Sequence, residues 1–150
     1  MPKPRLVPDD FAVPAELQSE RFVLAPLSVR HNEQDYAAWT SSIEHIRQTP
    51  GYADGSWPRP MSLDDNRGDL ARHERDFADR AGFTFTVLDP ATRDVIGCVY
   101  LYPARSADFD VDVRSWVRAD RAELDKALYE LVSSWIARDW PFVNPDYAER

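Results

Sequence analysis

The sequence predicts an α/β domain of the α+β kind, a mixed and mostly antiparallel sheet with three helices. Three observations predict it. Apolar residues recur at helical spacings in three segments, around Tyr36–Ile46, Leu63–Phe77 and Leu124–Ile136, as the buried faces of amphipathic helices do. They alternate residue by residue in Phe83–Leu88 and Asp108–Val117, as half-buried strands do. The chain has 150 residues, 43% of them hydrophobic, with five Trp, six Tyr and seven Phe. That is enough for one substantial core and too little for two domains.

Charge and composition exclude several functions. There are 18 basic and 26 acidic residues, a formal charge of −8, which argues against binding nucleic acid or anionic membranes, since both need clustered Lys and Arg. Cys98 is the single cysteine, so no internal disulfide forms. No basic-then-apolar leader opens the sequence and no apolar run approaches spanning length. The expectation is a cytoplasmic protein.

The elements follow in order. Residues 1–20 carry Pro2, Pro4, Pro8 and Pro14 and read as an extended proline-rich arm, packed through Phe11 and Val13. Residues 21–150 read as the single domain. Arg21–Leu27 suits a first strand that Pro26 ends or confines to an edge. Ser28 is placed to cap a helix to about Gln48, with Tyr36, Trp39, Ile43 and Ile46 as its stripe. Thr49–Met61 is a breaker-rich loop. Ser62 then caps a second helix, with Asp65 in its acidic first turn. Phe83–Leu88 is a strand that turns at Asp89-Pro90. Asp94–Tyr102 is apolar on both faces, as a central strand is. In Asp108–Val117, residues Asp108, Asp110, Asp112, Arg114 and Trp116 share one face. Asp120 caps the third helix and Pro141 stops it, with Phe142-Val143 as a strand stub.

The order β-α-α-β-β-β-α resembles that of the GCN5-related N-acetyltransferases (GNAT). So do RFVLAPL at the first strand, VIGCVYLYP at the central strand, and RSWVRAD leading from a strand into a helix. The resemblance runs from about Arg21 to Trp140. It implies a GNAT-like core without the family's C-terminal elements, and an acyl-CoA-dependent N-acyltransferase that uses acetyl-CoA. Its acceptor would be a small-molecule or peptide amine. The cofactor would lie at the Trp116–Ala127 junction, where Trp116, Val117, Arg118, Arg121 and Ala122 would contact it.

One device of that family is altered here. Its pyrophosphate rests on glycine-rich main chain at a helix N-terminus. Here no glycine lies beyond Gly97, and Asp120-x-x-Glu123 reads as a capping box that occupies the same N–H groups. Arg118 and Arg121 would replace the lost main-chain contacts, since guanidinium groups hold phosphate well. An alternative from another class follows: a non-catalytic binding or assembly module on the same scaffold, which has lost acetyl-CoA binding and forms a homodimer.

The catalytic residues expected are Asp110 and Asp112, whose carboxylates can attract an ammonium group and take its proton. The same row reads equally as a solvated face paired with Arg114. Trp57 and Tyr100, with Tyr52 and Tyr102, are the substrate-binding expectation, against the alternative that they pin a loop to the core. His31, His45 and His73 have no ligand spacing, so no metal is expected. Cys98 reads as a small core residue.

Overall fold

The computed structural model describes residues 4–150; Pro2 of the arm lies outside the described residues. Six strands form one sheet in sequence order: β1 (Leu17–Gln18), β2 (Val23–Pro26), β3 (Phe83–Leu88), β4 (Val95–Tyr102), β5 (Val111–Val117) and β6 (Pro145–Tyr147). Every neighbouring pair is antiparallel except β5 and β6, which run parallel over Val111–Val113 and Pro145–Tyr147. The mixed sheet follows the pattern of the sequence. The arm differs from expectation at its end, where Leu17 and Gln18 add an edge strand beside β2. Before that strand, the arm is held by Leu6 N–H on the Arg80 oxygen at 2.7 Å and by Arg80 Nη2 on the Phe11 oxygen at 2.7 Å.

The helix expected from Ser28 to Gln48 is interrupted. A 3-10 turn (Val29–His31) leads into α1 (Asn32–Thr40), and α2 (Ile43–Arg47) follows after a break. Hydroxyl groups account for the break. Thr40 Oγ1 donates to the Tyr36 oxygen at 2.6 Å and Ser41 Oγ to the Ala38 oxygen at 2.9 Å, competing for carbonyls the next turn would use. Helix α3 (Leu63–Ala78) begins as expected, with Ser62 Oγ accepting from Asp65 N–H at 3.0 Å.

The start of the last helix is corrected. Ala119–Leu124 is a 3-10 turn with Arg121 in a non-helical conformation, and α4 (Asp125–Asp139) begins only after it. Asp120 makes no cap. Its carboxylate turns back onto Arg118 instead.

The sheet separates two cores. On one face Phe83, Phe85, Val99, Val113, Val132, Trp135 and Trp140 pack beneath α4 and the arm. On the other, Trp39, Ile46, Tyr52, Leu70, Cys98 and Trp116 pack beneath α1 to α3 and the long loop. Gly97 lets β4 and β5 approach: a Cβ there would lie 2.4 Å from the Trp116 oxygen. Among the described residues no helix is long and apolar enough to cross a membrane.

Candidate functional site

The α1–α3 side of the sheet holds a cavity of about 630 Å³, within the range of small-molecule sites. Strand alternation builds one wall. Tyr100 and Tyr102 project from β4, and Asp112 and Arg114 from β5, all on the face away from α4. Asp35 of α1, Asn66 and His73 of α3, and Tyr52 and Trp57 of the loop complete it.

Trp57 and Tyr100 both line this cavity. Trp57 also packs on Trp39 (5.4 Å between centroids), Tyr52 (6.0 Å) and Trp116 (6.1 Å), so it pins the loop to the core as well. The Tyr100 hydroxyl accepts from Trp116 Nε1 at 3.0 Å. Burial pushes the Tyr52, Tyr100 and Cys98 groups well above their ordinary values, so all three stay protonated and the thiol is no nucleophile.

The two aspartates offered as candidates for the base lie in different surroundings. Asp112 lies in β5 and faces the cavity, where Arg114 Nε meets its carboxylate at 3.3 Å. Burial pushes its pKa above the usual carboxylate range, against the opposing pull of Arg114 and Arg105. Asp110 precedes the strand. Its carboxylate accepts from the main-chain N–H groups of Val143 (2.7 Å) and Asn144 (3.1 Å), away from the cavity. It clamps the chain entering β6 beside β5. The row Asp108–Asp110–Asp112 does not form, because β5 begins only at Val111.

Two cavity residues escape a reading of the sequence. Asp35 is 4% exposed, and Asn66 Nδ2 donates to its Oδ2 at 3.1 Å. Asn66 is held in that orientation by Asn32 Oδ1 (2.8 Å) and Trp39 Nε1 (3.1 Å). A signal existed for Asp35 and Asn32: they fall on the side of α1 that carries Trp39, so the apolar stripe is broken by polar residues. His73 also joins the wall, and its Nδ1 lies 2.9 Å from both the Tyr102 hydroxyl and Thr84 Oγ1.

Solved structures with a similar fold include acetyltransferases. A candidate ribosomal-protein-serine acetyltransferase from Vibrio cholerae matches at a TM-score of 0.61 and 15% identity, over 88% of this chain and 70% of that one. The ribosomal-protein-S5-alanine acetyltransferase from Vibrio fischeri matches at 0.61 and 11%, over 82% and 67%. The microcin C7 self-immunity acetyltransferase MccE, solved with acetyl-CoA and AMP, matches at 0.57 and 12%, over 82% and 67%. The chain has the GNAT fold. No protein-family model matches the sequence, and no curated protein matches it.

In the GNAT fold of this chain, the junction after β5 carries the residues expected to hold a cofactor. Trp116 and Val117 are buried at the end of β5 and paired with Cys98 and Gly97, while Ala122 is exposed. Arg118 Nε and Nη2 contact Asp120 at 2.9 and 3.0 Å, and its Nη1 donates to the Val95 oxygen at 3.1 Å. Arg121 Nη1 contacts Asp89 at 2.9 Å. These arginines hold Asp120 and Asp89 below the usual carboxylate range through hydrogen bonds. Asp120 is a surface group, and an ion pair of that kind contributes little, while Asp89 is half-buried and also accepts from Ala91 N–H. A phosphate can exchange with them, so the arginines fit an anionic donor. The main chain offers less, since Ala119 N–H is already on Ser42 Oγ at 2.8 Å.

Beyond Val113, the β6 side of β5 is closed by a side chain. Arg150 Nη2 donates to the Ser115 oxygen at 2.7 Å, and its Nε contacts Asp125 Oδ2 at 2.7 Å. Tyr147 Oη lies 2.6 Å from Ser115 Oγ.

Proposed function

We propose that the protein transfers an acyl group from an acyl-CoA thioester, acetyl-CoA in the first instance, to a small-molecule or peptide amine in the cytoplasm. One observation carries the reading: on a GNAT fold, the open face of β5 carries a carboxylate, Asp112, in a cavity walled by aromatic rings and large enough for an acceptor. Acetyltransferases of this fold, MccE among them, support the donor.

An ammonium group has to lose a proton before its nitrogen can attack a carbonyl. Asp112 takes that proton, directly or through water. Its burial raises its basicity above that of an ordinary carboxylate. Arg114, at 3.3 Å from Asp112, favours its ionised form and fixes its orientation. Trp57 and Tyr100 flank the acceptor. When bound, the thioester supplies the activated acyl group; Arg118 and Arg121 hold its phosphates, and Val117 meets its arm through the main chain.

Titration of acetyl-CoA by calorimetry tests this. Heat from the native protein, lost in Arg118→Ala plus Arg121→Ala, supports it. Absence of heat at millimolar acetyl-CoA overturns it and leaves a scaffold that binds without transferring.

A further inference from the structure

The cavity's most buried carboxylate belongs to Asp35, and the structure leaves it without a counter-charge. Among the described residues its one hydrogen bond is from a neutral amide, Asn66 Nδ2 at 3.1 Å, and no Lys or Arg lies within ion-pairing distance. The other N–H of that amide goes to Asn32 Oδ1 and its oxygen accepts from Trp39 Nε1, so Asn66 is fixed as a donor toward Asp35. Buried carboxylates are normally paired. A second group in the same cavity is also unsatisfied: the hydroxyl of Tyr52, 3% exposed, is buried with no hydrogen-bond partner. The Tyr100 hydroxyl oxygen accepts from Trp116 Nε1 and keeps a second lone pair with which to accept. Trp57 and Tyr100 line the cavity beside these groups, and aromatic rings attract cations, as Tyr52 shows with the Arg114 guanidinium 5.8 Å from its ring centroid.

We propose that Asp35 is the counter-ion of a primary alkylammonium group bound in this cavity beside the rings of Trp57 and Tyr100. Its identification with the acceptor rests on the acyltransferase reading above; the binding site itself does not. An ammonium supplies three N–H donors. One meets Asp35, and the Tyr52 and Tyr100 oxygens accept the others. A slim alkyl stem suits the aromatic walls, and the charged groups that share the cavity are already paired, Asp69 with Arg72 at 3.6 Å, Asp112 with Arg114 at 3.3 Å and Arg105 with Asp54 at 3.4 Å. Cys98 and Tyr100 of β4, which also face Asp35, stay neutral. Asp35 therefore selects a charged amine over an uncharged isostere, and Asp112 remains the proton acceptor.

The test uses the full chain with no CoA present, at pH 7. The probes are N-acetyl-lysine amide, for a side-chain amine, alaninamide, for a free N-terminus, and N-acetyl-norleucine amide as the neutral control. At least one ammonium probe is expected to bind tenfold or more tightly than the control, and Asp35→Asn, which keeps the Asn66 hydrogen bond, is expected to abolish the preference. Which ammonium probe binds identifies the source of the amine. Equal binding of charged and neutral probes, no binding of either charged probe, or an unchanged preference in Asp35→Asn overturns the proposal. Should that variant fail to fold, the carboxyl carbon of Asp35 is followed by NMR in the native protein: saturation with the bound ammonium probe must lower its titration midpoint, and an unmoved midpoint overturns the assignment. Ammonium preference without heat from acetyl-CoA leaves this site standing and removes acyl transfer; the opposite pair of results does the reverse.

Discussion

The guanidinium of Arg150 lies 2.7 Å from the main-chain oxygen of Ser115, at the point where β6 stops pairing with β5. The same side chain, 3% exposed, reaches Asp125 at the start of α4 and lies over the rings of Tyr129 and Tyr147 at 5.9 and 5.7 Å. One residue thus ties the open edge of β5 to the first turn of the last helix. Asp125 Oδ1 is buried without any partner, so the carboxylate depends on this contact.

Arg150→Ala removes the cation and leaves Asp125 uncompensated. Breaking such a pair costs roughly 3 kcal/mol or more when the survivor stays buried. Denaturant unfolding of Arg150→Ala should show a loss of that order, with Arg150→Ala plus Asp125→Asn recovering much of it. A loss under about 1 kcal/mol in the single variant would mean that the contact is not maintained in solution.

Asp35 makes stability depend on pH in a defined direction. Burial raises its pKa from 3.8 to about 6 in the folded state. The folded chain therefore holds the proton more tightly than the unfolded chain does. Stability is highest below about pH 4 as far as this group is concerned, and falls as the pH rises to about 6. The full difference corresponds to about 3 kcal/mol. Asp35→Asn should be more stable than the native protein at pH 7.5 and gain nothing at pH 3.5. A gain that is the same at both pH values would sink this account of the burial cost.

Asp110 and Asp112 are two residues apart and should fail differently. Asp110→Ala loses the hydrogen bonds from Val143 and Asn144 N–H and should cost roughly 1–3 kcal/mol of stability, leaving binding in the cavity unchanged. Asp112→Asn should leave folding intact and lower the acyl-transfer rate by roughly a hundredfold. In the native protein, the proposed acyl transfer should climb in rate with pH through a midpoint above the usual carboxylate range, because burial raises the Asp112 pKa. That climb should vanish in Asp112→Asn. Equal effects of the two substitutions on kcat/KM would be incompatible with the geometry.

The sheet was legible because period-two alternation survives burial: β3, β4 and β5 lie within their expected bounds, and Ser62 caps α3 as its sequence position implies. What escaped was set by contacts distant in sequence. Asp120 and Glu123 have the spacing of a capping box, yet Arg118 takes the Asp120 carboxylate, and Ser42, far back in the chain, takes Ala119 N–H. Asp110 looks like a strand residue by alternation alone. Its clamp on Asn144 depends on where β6 docks, which local periodicity does not encode. Asp35 was hidden for a related reason: a polar residue on an apolar stripe is ambiguous until Asn66 and the cavity are seen on its other side.

Two glycines give the sharpest contrast between backbone and packing. A Cβ at Gly97 would lie 2.4 Å from the Trp116 oxygen and 3.4 Å from the Val117 Cα, both main-chain atoms of the paired strand. No rotamer change relieves a clash with backbone, so β4 and β5 would have to separate at the residues that bring Trp116 and Val117 to the junction. Gly97→Ala should therefore cost several kcal/mol, by the overpacking that core insertions produce at about 1–3 kcal/mol and beyond where nothing can move. Gly68, in the middle of α3, has nothing within 4 Å of the place an alanine methyl would take. Gly68→Ala should stabilise the protein by roughly 0.5–1 kcal/mol, because alanine loses less backbone freedom in a helix. Thermal unfolding of the pair decides both points: a Gly97→Ala protein that melts at the native temperature would show that β4 and β5 are not as closely apposed as described.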